Sequence, residues 1–449
     1  KLVRKHRGAT AATLAVLATL VAGLALIERQ RRVAMAQRDQ AQQNLQLASQ
    51  LMVKMIWPAT GRMFGLWFPE NEQDVLQQAR RFSEQILQRA HGDPELRRQM
   101  AQLHRQWGRA LYQAGHDPEP ELRQSLSILT DLAREFPDDP QYRADLSEVH
   151  GWLSTWFAAD LRLEEAAQQR RISLGILQDL VEETPSNDAY RQLLIAGQYQ
   201  MGRRLTGMGR FDEALKYHRE ALADDEILAP WRQAESRENY AYLLLRLARY
   251  EKADLVLQEA LHIAEQAMAR DMSPSTVDEL LNPIALALCE NMAGLLDLQR
   301  SRFAEAEVRL RQAIDLFEQW FDDRPKLVWT AWAIGRSNHH LAEVLTAMDR
   351  MKEAEAARHR SLAVWESLSS ARPAAFPHDK ALAHYRLGEH LHGTGRTDEA
   401  RRQFALAQDM MEDLAKRRPD EWVCHWQLIC LLANCPDPEL RDPPRAEAL

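Results

Sequence analysis

Two stretches far apart in the chain repeat one pattern of small and apolar residues. Tyr199 to Leu222 reads YQMGRRLTGMGRFDEALKYHREAL, and Tyr385 to Gln408 reads YRLGEHLHGTGRTDEARRQFALAQ. A pattern that returns in this way predicts stacked copies of one structural unit. Because each copy buries its apolar face only against its neighbours, this feature constrains the fold more than any other.

The repeated pattern resembles the tetratricopeptide repeat, in which small residues let two antiparallel helices cross closely. The anchor alanines lie 39 to 53 residues apart, farther than the usual repeat of about 34. They are Ala166, Ala214, Ala253, Ala306, Ala354 and Ala400. We therefore predict an all-α fold, a right-handed superhelix of tetratricopeptide-like helix pairs over residues 71–435, with long helices or long connections.

An uncharged run extends from Ala9 to Ile27 near the start of the sequence, KLVRKHRGATAATLAVLATLVAGLALIERQRR. Its length of about nineteen residues suits a helix that crosses a bilayer core of roughly 30 Å. A secretory signal has a shorter apolar part, and a buried core helix normally keeps a polar face. We expect a single transmembrane helix over residues 9–27. The basic flank, residues 1–8, slightly favours a cytoplasmic N-terminus and extracytoplasmic repeats.

Three further segments surround the predicted repeats. Residues 28–56 lack Gly and Pro and are rich in Gln, Ala and Arg, which predicts a juxtamembrane helix. Its apolar stripe fits either a short dimeric coiled coil or a single amphipathic helix that docks on the next domain. The glycines and prolines of residues 57–70 predict a hinge or a cap. The prolines of residues 436–449 predict a disordered tail.

The charge balance and the cysteines limit the ligands that we expect. Beyond Arg38 the chain has 49 basic and 64 acidic residues, so its formal charge near -15 argues against a nucleic-acid partner. Cys424, Cys430 and Cys435 lack the paired spacing of zinc sites. We expect buried free thiols, with one terminal disulfide as the alternative in an oxidising compartment.

Known catalytic signatures are missing from the sequence. It contains no Gly-rich phosphate loop, no H-R-D or D-F-G, no H-E-x-x-H and no G-x-S-x-G. The sequence HRQ at His104 to Gln106 lacks the aspartate that a kinase base requires. We therefore expect no enzymatic activity and no cofactor in this chain.

The order of the segments resembles the C-terminal half of bacterial receptor-like serine/threonine protein kinases. The matching segments are KLVRKHR, the apolar run, RRVAMAQRDQAQQNLQLASQLM, HGDPELRRQMAQLHRQWGRALYQAG and FPDDPQYRADLSEVHGWL. The resemblance implies a cytoplasmic kinase domain before the membrane helix and tetratricopeptide repeats after it. The kinase motifs are not in this sequence, so no catalytic residue carries over.

In such helix pairs, ligand-facing side chains lie three residues before, one after and four after the small residue of the first helix. This spacing selects Arg105, Arg109, Tyr112, Tyr199, Arg203, Glu238, Tyr242, Asn291, His339, Glu343, Tyr385, Glu389 and His392. The early groove is basic, and the late groove is acidic with histidines. A second hypothesis for the late groove is a divalent-metal or pH-sensing site, but we favour solvated polar residues and expect no metal.

The sequence therefore predicts a non-catalytic, membrane-anchored sensor region of a receptor-like kinase. A protein or peptide ligand of matching polarity is expected in the concave groove, because stacked repeats form an extended binding surface. Binding is expected to act through oligomerisation, with a homodimer formed by residues 28–56. The alternative is a membrane-anchored scaffold that assembles protein complexes without a kinase.

Overall fold

Two long helices begin directly after a residue whose side chain caps them, Asp139 in one and Asn187 in the other. In the computed structural model, the Asp139 carboxylate accepts a hydrogen bond from the backbone N–H of Gln141, and Pro140 occupies the first helical position. The Asn187 side chain caps the helix that begins at Asp188 in the same way, by accepting a hydrogen bond from the backbone N–H of Ala189. Such side chains satisfy backbone donors that a helix start leaves unpaired.

The structure describes residues 28–29, 32, 93–114, 116–270, 277–321, 328–371, 377–417 and 422–449, and no strand occurs among them. The helices are α1 Pro94–Ala114, α2 Glu119–Glu135, α3 Pro140–Ala159, α4 Leu163–Glu183, α5 Asp188–Gly207, α6 Phe211–Leu222, α7 Pro230–Arg246, α8 Tyr250–Arg270, α9 Val277–Gln299, α10 Phe303–Phe321, α11 Val328–Ala347, α12 Met351–Ala371, α13 Pro377–Gly393, α14 Thr397–Arg417, α15 Trp422–Asn434 and α16 Pro443–Ala448.

Consecutive helices pack as pairs from α1–α2 through α13–α14. Along the array, the first helices α1, α3, α5, α7, α9 and α11 also contact one another in order. They form a continuous layer. We call the inner face the side of this layer that carries the positions three before, one after and four after each small residue. The described part of the chain is thus the array of tetratricopeptide-like helix pairs that the repeat pattern predicts.

One turn geometry joins first and second helices at six places in the described chain. The residue before an arginine has a positive φ, between 53° and 82°, and the arginine N–H donates to the carbonyl five residues earlier at 2.7 to 2.9 Å. The six residues with positive φ are Leu161, Gly209, Ala248, Ser301, Asp349 and Gly395. One residue in the left-handed region thus ends the α-helix. The hydrogen bond that follows it pairs a carbonyl that the last helical turn leaves free, and the chain reverses direction.

Four of the arginines of these turns form ion pairs that connect successive helix pairs. The guanidinium of Arg162 lies 2.6 Å from the carboxylate of Glu165 and 2.6 Å from that of Glu119 in the preceding pair. The corresponding ion pairs join Arg210 to Glu213 and Glu164, Arg350 to Glu353 and Glu307, and Arg396 to Glu399 and Glu355. The forked guanidinium can bridge two carboxylates. One arginine therefore stabilises its own turn and also holds that turn against the preceding helix pair.

The C-terminal segment differs from its prediction. Residues 436–449 are expected to be disordered, whereas Pro443–Ala448 forms α16, which packs on α15. Arg401 lies 2.7 Å from Asp437, and Arg445 lies 2.8 Å from Glu412. Proline at the first turn of a helix is compatible with this arrangement, and paired charges hold the segment on the last helices.

Several predictions from the start of the chain lie outside the described residues. These are the basic flank 1–8, the membrane helix 9–27, the hinge 57–70 and nearly all of the juxtamembrane helix 28–56. None of the helices that the structure does describe combines the length and apolar character needed to cross a bilayer.

Cys289, Cys424 and Cys435 are buried, and Cys430 is half-buried.

Candidate functional site

A cavity of about 540 Å³ opens on the inner face between α7, α9, α11 and α13. Its lining is mainly apolar and includes Trp231, Ile284, Leu288 and Trp332. One end of α5 contributes Arg203. Pockets that bind ligands typically enclose roughly 300–1,000 Å³, with an apolar lining and few polar groups. This cavity has both properties.

The lining of the cavity on α11 follows from one buried glycine. Gly335 lies against Trp365 of α12, so α11 and α12 approach closely there. Trp332, Arg336 and His339 are three residues before, one after and four after Gly335, and all three line the cavity. Helical periodicity places these positions on one face.

The same spacing on α7 starts from Ala234, which is fully buried. It selects Trp231, Glu235 and Glu238, and all three line the cavity. The residues selected from the sequence on this helix, Glu238 and Tyr242, are counted from Ala241, seven residues later. Seven residues are nearly two helical turns, so both positions mark the same face.

Four of the residues selected from the sequence line the cavity, namely Arg203, Glu238, Tyr242 and His339. Trp231, Trp332, Glu235 and Arg336 also line the cavity but are not among the residues selected from the sequence. The pairing of Ala234 and Gly335 with residues three before and four after them is the signal that could have found them. Tyr199 contacts Glu235 of the lining, and the other selected residues lie elsewhere on the array, in the two groups described below.

Glu238 is the most unusual polar group of the cavity. Burial raises the pKa of its carboxyl to about 7, while Arg336 and Arg203 act in the opposite direction. No described residue forms a hydrogen bond or an ion pair with this carboxylate. Glu235 beside it accepts a hydrogen bond from the hydroxyl of Tyr199 at 2.9 Å. A buried carboxylate without a partner is costly, and a cationic or hydrogen-bonding ligand relieves that cost.

Opposite this carboxylate, α11 presents a cation over an aromatic ring. The guanidinium carbon of Arg336 lies 4.5 Å from the ring centre of Trp332. His339 follows one turn later, and burial together with nearby arginines lowers its pKa to about 4. The imidazole is therefore neutral near pH 7. The cavity thus combines aromatic rings, a held arginine and carboxylates.

The late groove is a mixed-charge cluster. Arg386 lies 2.8 Å from Glu389, and His339 lies 3.5 Å from Glu343. Burial raises the pKa of Glu343, while Arg386 and Arg358 lower it. The region looks acidic from the sequence because the spacing rule selects neither Arg386 of α13 nor Arg358, which comes from the second helix α12.

The remaining residues of the late groove have structural contacts. The ring of Tyr385 packs 5.5 Å from that of Phe404, and burial raises its pKa to about 12. Asn291 donates a hydrogen bond of 2.5 Å to the hydroxyl of Ser337. His392 is half-buried near the end of α13. In the described ranges, no three His, Cys, Asp or Glu side chains are grouped as metal ligands.

The early groove is less basic than the sequence indicates. Arg105 is buried and forms ion pairs with Glu148 and, at 3.7 Å, with Asp145 of α3. Its charge is therefore compensated within the fold.

Arg109 and Tyr112 lie beside an aromatic group on α3. The guanidinium carbon of Arg109 lies 4.9 Å from the ring centre of Trp152. Tyr112 contacts Trp152 and Trp156 edge-on, with ring centres 6.5 and 6.3 Å apart. Burial and repulsion from Arg105 lower the pKa of Arg109. This part of the inner face is a surface of aromatic rings packed edge to face, with one arginine across it.

Comparisons with known proteins find only distant similarities among solved structures. No family model and no curated protein matches the chain. BtubC from P. vanneervenii is 18% identical, with a TM-score of 0.42 over 56% of this chain and 91% of that one. A Rap protein complexed with competence and sporulation factor is 14% identical, with a TM-score of 0.45 over 87% of this chain and 97% of that one. The human IFIT1 dimer with m7Gppp-AAAA is 16% identical, with a TM-score of 0.40 over 84% of this chain and 77% of that one. Because these TM-scores are below 0.5, the matches do not support a conclusion about function.

Proposed function

We propose that the helix array is a non-catalytic receptor for an extended peptide segment of a partner protein. The segment lies along the inner face, inserts one bulky apolar side chain into the cavity, and carries a basic residue that faces Glu238. The observation that carries the proposal is the apolar cavity with an unpaired, buried carboxylate.

The apolar part of the proposed ligand follows from the lining. A cavity of about 540 Å³ bounded by Trp231, Leu288 and Trp332 gains most from a large apolar group. Transfer of such a side chain from water contributes about 1.5–3 kcal/mol when it becomes fully buried. Aromatic anchors in well-packed pockets carry much of the binding energy in protein interfaces.

The basic part follows from charge. Glu235 and Glu238 lie one helical turn apart on α7, and both face the cavity. The buried Glu238 carboxylate favours a guanidinium or ammonium group that pairs with it, because pairing offsets the cost of burying the negative charge.

A display selection tests this proposal directly. A library of random peptides is selected against the full chain alone, and the selected peptides are then measured against Leu288→Glu, which places a charge in the cavity. The expected peptides share an apolar residue next to a basic one, and they bind Glu238→Gln more weakly. Leu255→Glu is the matched control, because Leu255 lies on the second helix α8 and is 62% exposed. Peptides that bind Leu288→Glu as well as the native chain would contradict the proposal.

A second part of the proposal concerns the membrane anchor of the array and the domain to which it is attached. We infer that residues 9–27 anchor the chain in a membrane and that residues 28–56 pass ligand binding, through dimerisation, to a cytoplasmic serine/threonine kinase domain. Its support is the apolar run and the order of segments in the sequence. A scaffold without a kinase is the alternative. Protease protection in sealed, oriented vesicles tests the sidedness: protected repeats support an external sensor, and digestion from the cytoplasmic side favours the scaffold.

A further inference from the structure

Two arginines near the early groove have buried guanidinium groups without a carboxylate partner in the described chain. Arg170 of α4 is 7% exposed and donates only to neutral oxygens, the carbonyl of Gly151 at 3.2 Å and the side chain of Gln200 at 2.6 Å. Arg204 of α5 donates to the hydroxyl of Thr155 at 3.4 Å. The Nε atoms of both arginines are buried and have no hydrogen-bond partner.

These contacts differ from those of two arginines on α1, in the first helix pair. Arg98 lies 2.6 Å from Asp145, and Arg105 pairs with Glu148. Folded proteins rarely bury a charge without a counter-charge, because desolvation disfavours the charged form strongly. Arg170 and Arg204 are therefore an exception that the fold alone does not explain.

The two guanidinium groups belong to one electropositive cluster. Burial lowers the pKa of Arg170 to about 10, and Arg203 adds repulsion. Burial, followed by repulsion from Arg170 and Arg203, lowers the pKa of Arg204 well below its ordinary value. The hydroxyl of Tyr112 acts in the opposite direction on Arg204.

The cluster is reached from the inner face. Thr155, Gln200 and Arg204 are half-buried, so these residues remain partly accessible to solvent. Arg170 extends from a second helix toward the first helices, past the glycine at position 151, whose missing side chain leaves room for the guanidinium. Neutral hydrogen-bonding groups and two guanidinium groups thus converge at one place between α3, α4 and α5.

We infer that Arg170 and Arg204, with Thr155 and Gln200, form an oxyanion-binding site that takes a carboxylate or a phosphate group of a ligand. Guanidinium groups match such anions through paired N–H donors. The site is separate from the apolar cavity and goes beyond the proposed function, since it binds an anion whether or not a peptide occupies the cavity.

Thermal unfolding of the full chain tests the site with inorganic phosphate and with acetate, each exchanged for chloride at constant ionic strength. We expect a saturable rise in Tm for the native chain, of a few degrees at saturation, because a ligand that binds only the folded state stabilises it. A response to phosphate alone assigns a phosphate-bearing ligand, and a response to both probes assigns a carboxylate-bearing one. Arg204→Gln should remove the response. Arg300→Gln is the control, because Arg300 is paired with Asp254 at 2.8 Å, away from the site.

A second variant keeps the test decisive if Arg204→Gln does not fold. Gln200→Glu has nearly the same shape and supplies a fixed carboxylate to Arg170. We expect a higher Tm without added anion and a weaker response to the added anion. The inference is overturned if the native chain shows no saturable shift, if Arg204→Gln responds as strongly as the native chain, or if Gln200→Glu lowers the Tm.

Discussion

Trp365 packs so closely under Gly335 that a Cβ at position 335 would lie 2.7 Å from Cζ2 of the indole. The indole N–H donates to the hydroxyl of Ser361 at 3.2 Å, and that hydroxyl donates to the carbonyl of Gly335 at 2.8 Å. This contact fixes the distance between α11 and α12. Since Trp365 and Ser361 also line the cavity, it fixes one wall of the proposed binding site.

Gly335→Ala should destabilise the fold by about 1–3 kcal/mol, because the added methyl group overpacks a buried indole. Gly175→Ala is the matched control: no atom lies within 4 Å of its added Cβ, and Gly175 lies inside α4. There alanine should stabilise by about 0.5–1 kcal/mol. Urea unfolding measures both, and equal effects of the two substitutions would refute the close contact.

Ala248→Gly should stabilise the chain by about 0.5–1 kcal/mol, since glycine tolerates the left-handed backbone that costs an alanine roughly 1–2 kcal/mol. Ala248 has a φ of 53° in the turn between α7 and α8. The reverse change at the equivalent turn, Gly209→Ala with φ 74°, should destabilise by about 1 kcal/mol. Chemical denaturation of both variants checks the opposite signs, and two shifts of the same sign would contradict the shared turn geometry.

Arg162→Ala should destabilise by about 1 kcal/mol, because it removes two ion pairs and a contact with an aromatic face. The Arg162 guanidinium carbon lies 3.9 Å from the ring centre of Phe157, in addition to its carboxylate partners. Arg134→Ala, which removes one exposed pair with Asp131, should have little effect. Thermal unfolding at low and high salt measures the difference between the two variants. A similarly small effect of both substitutions would contradict the claim that Arg162 stabilises the contact between neighbouring helix pairs.

The pH dependence of stability should reveal the buried carboxyl of Glu238. Its pKa is raised from 4.5 to about 7 in the folded chain, so between these pH values the folded state keeps a proton that the unfolded state releases. The contribution of Glu238 to stability therefore falls as pH rises from 4.5 to 7. Glu238→Gln removes this dependence, so its stability relative to the native chain should increase across that window and then level off. A constant difference from pH 4.5 to 8 would show that Glu238 ionises normally.

The repeat pattern predicts the helix pairs because small residues at fixed intervals directly reflect close helix crossings. It locates the cavity less well, since α11 carries both Gly335 and Ala342 on one face, and only packing shows which of them lies under the cavity. The sequence also hides Arg170 and Arg358, because a long side chain from a second helix reaches the groove through a gap that spacing rules do not describe. The C-terminal segment was misjudged from its prolines, although Asp437 and Arg445 form tertiary ion pairs there.

The most direct test of the account is the affinity of one selected peptide for three forms of the full chain, measured by titration calorimetry. We predict that Leu288→Glu weakens binding at least about tenfold, which corresponds to roughly 1.4 kcal/mol, while Leu255→Glu leaves it unchanged. Equal affinities for the native chain and Leu288→Glu would place the ligand outside the cavity and contradict the proposed function.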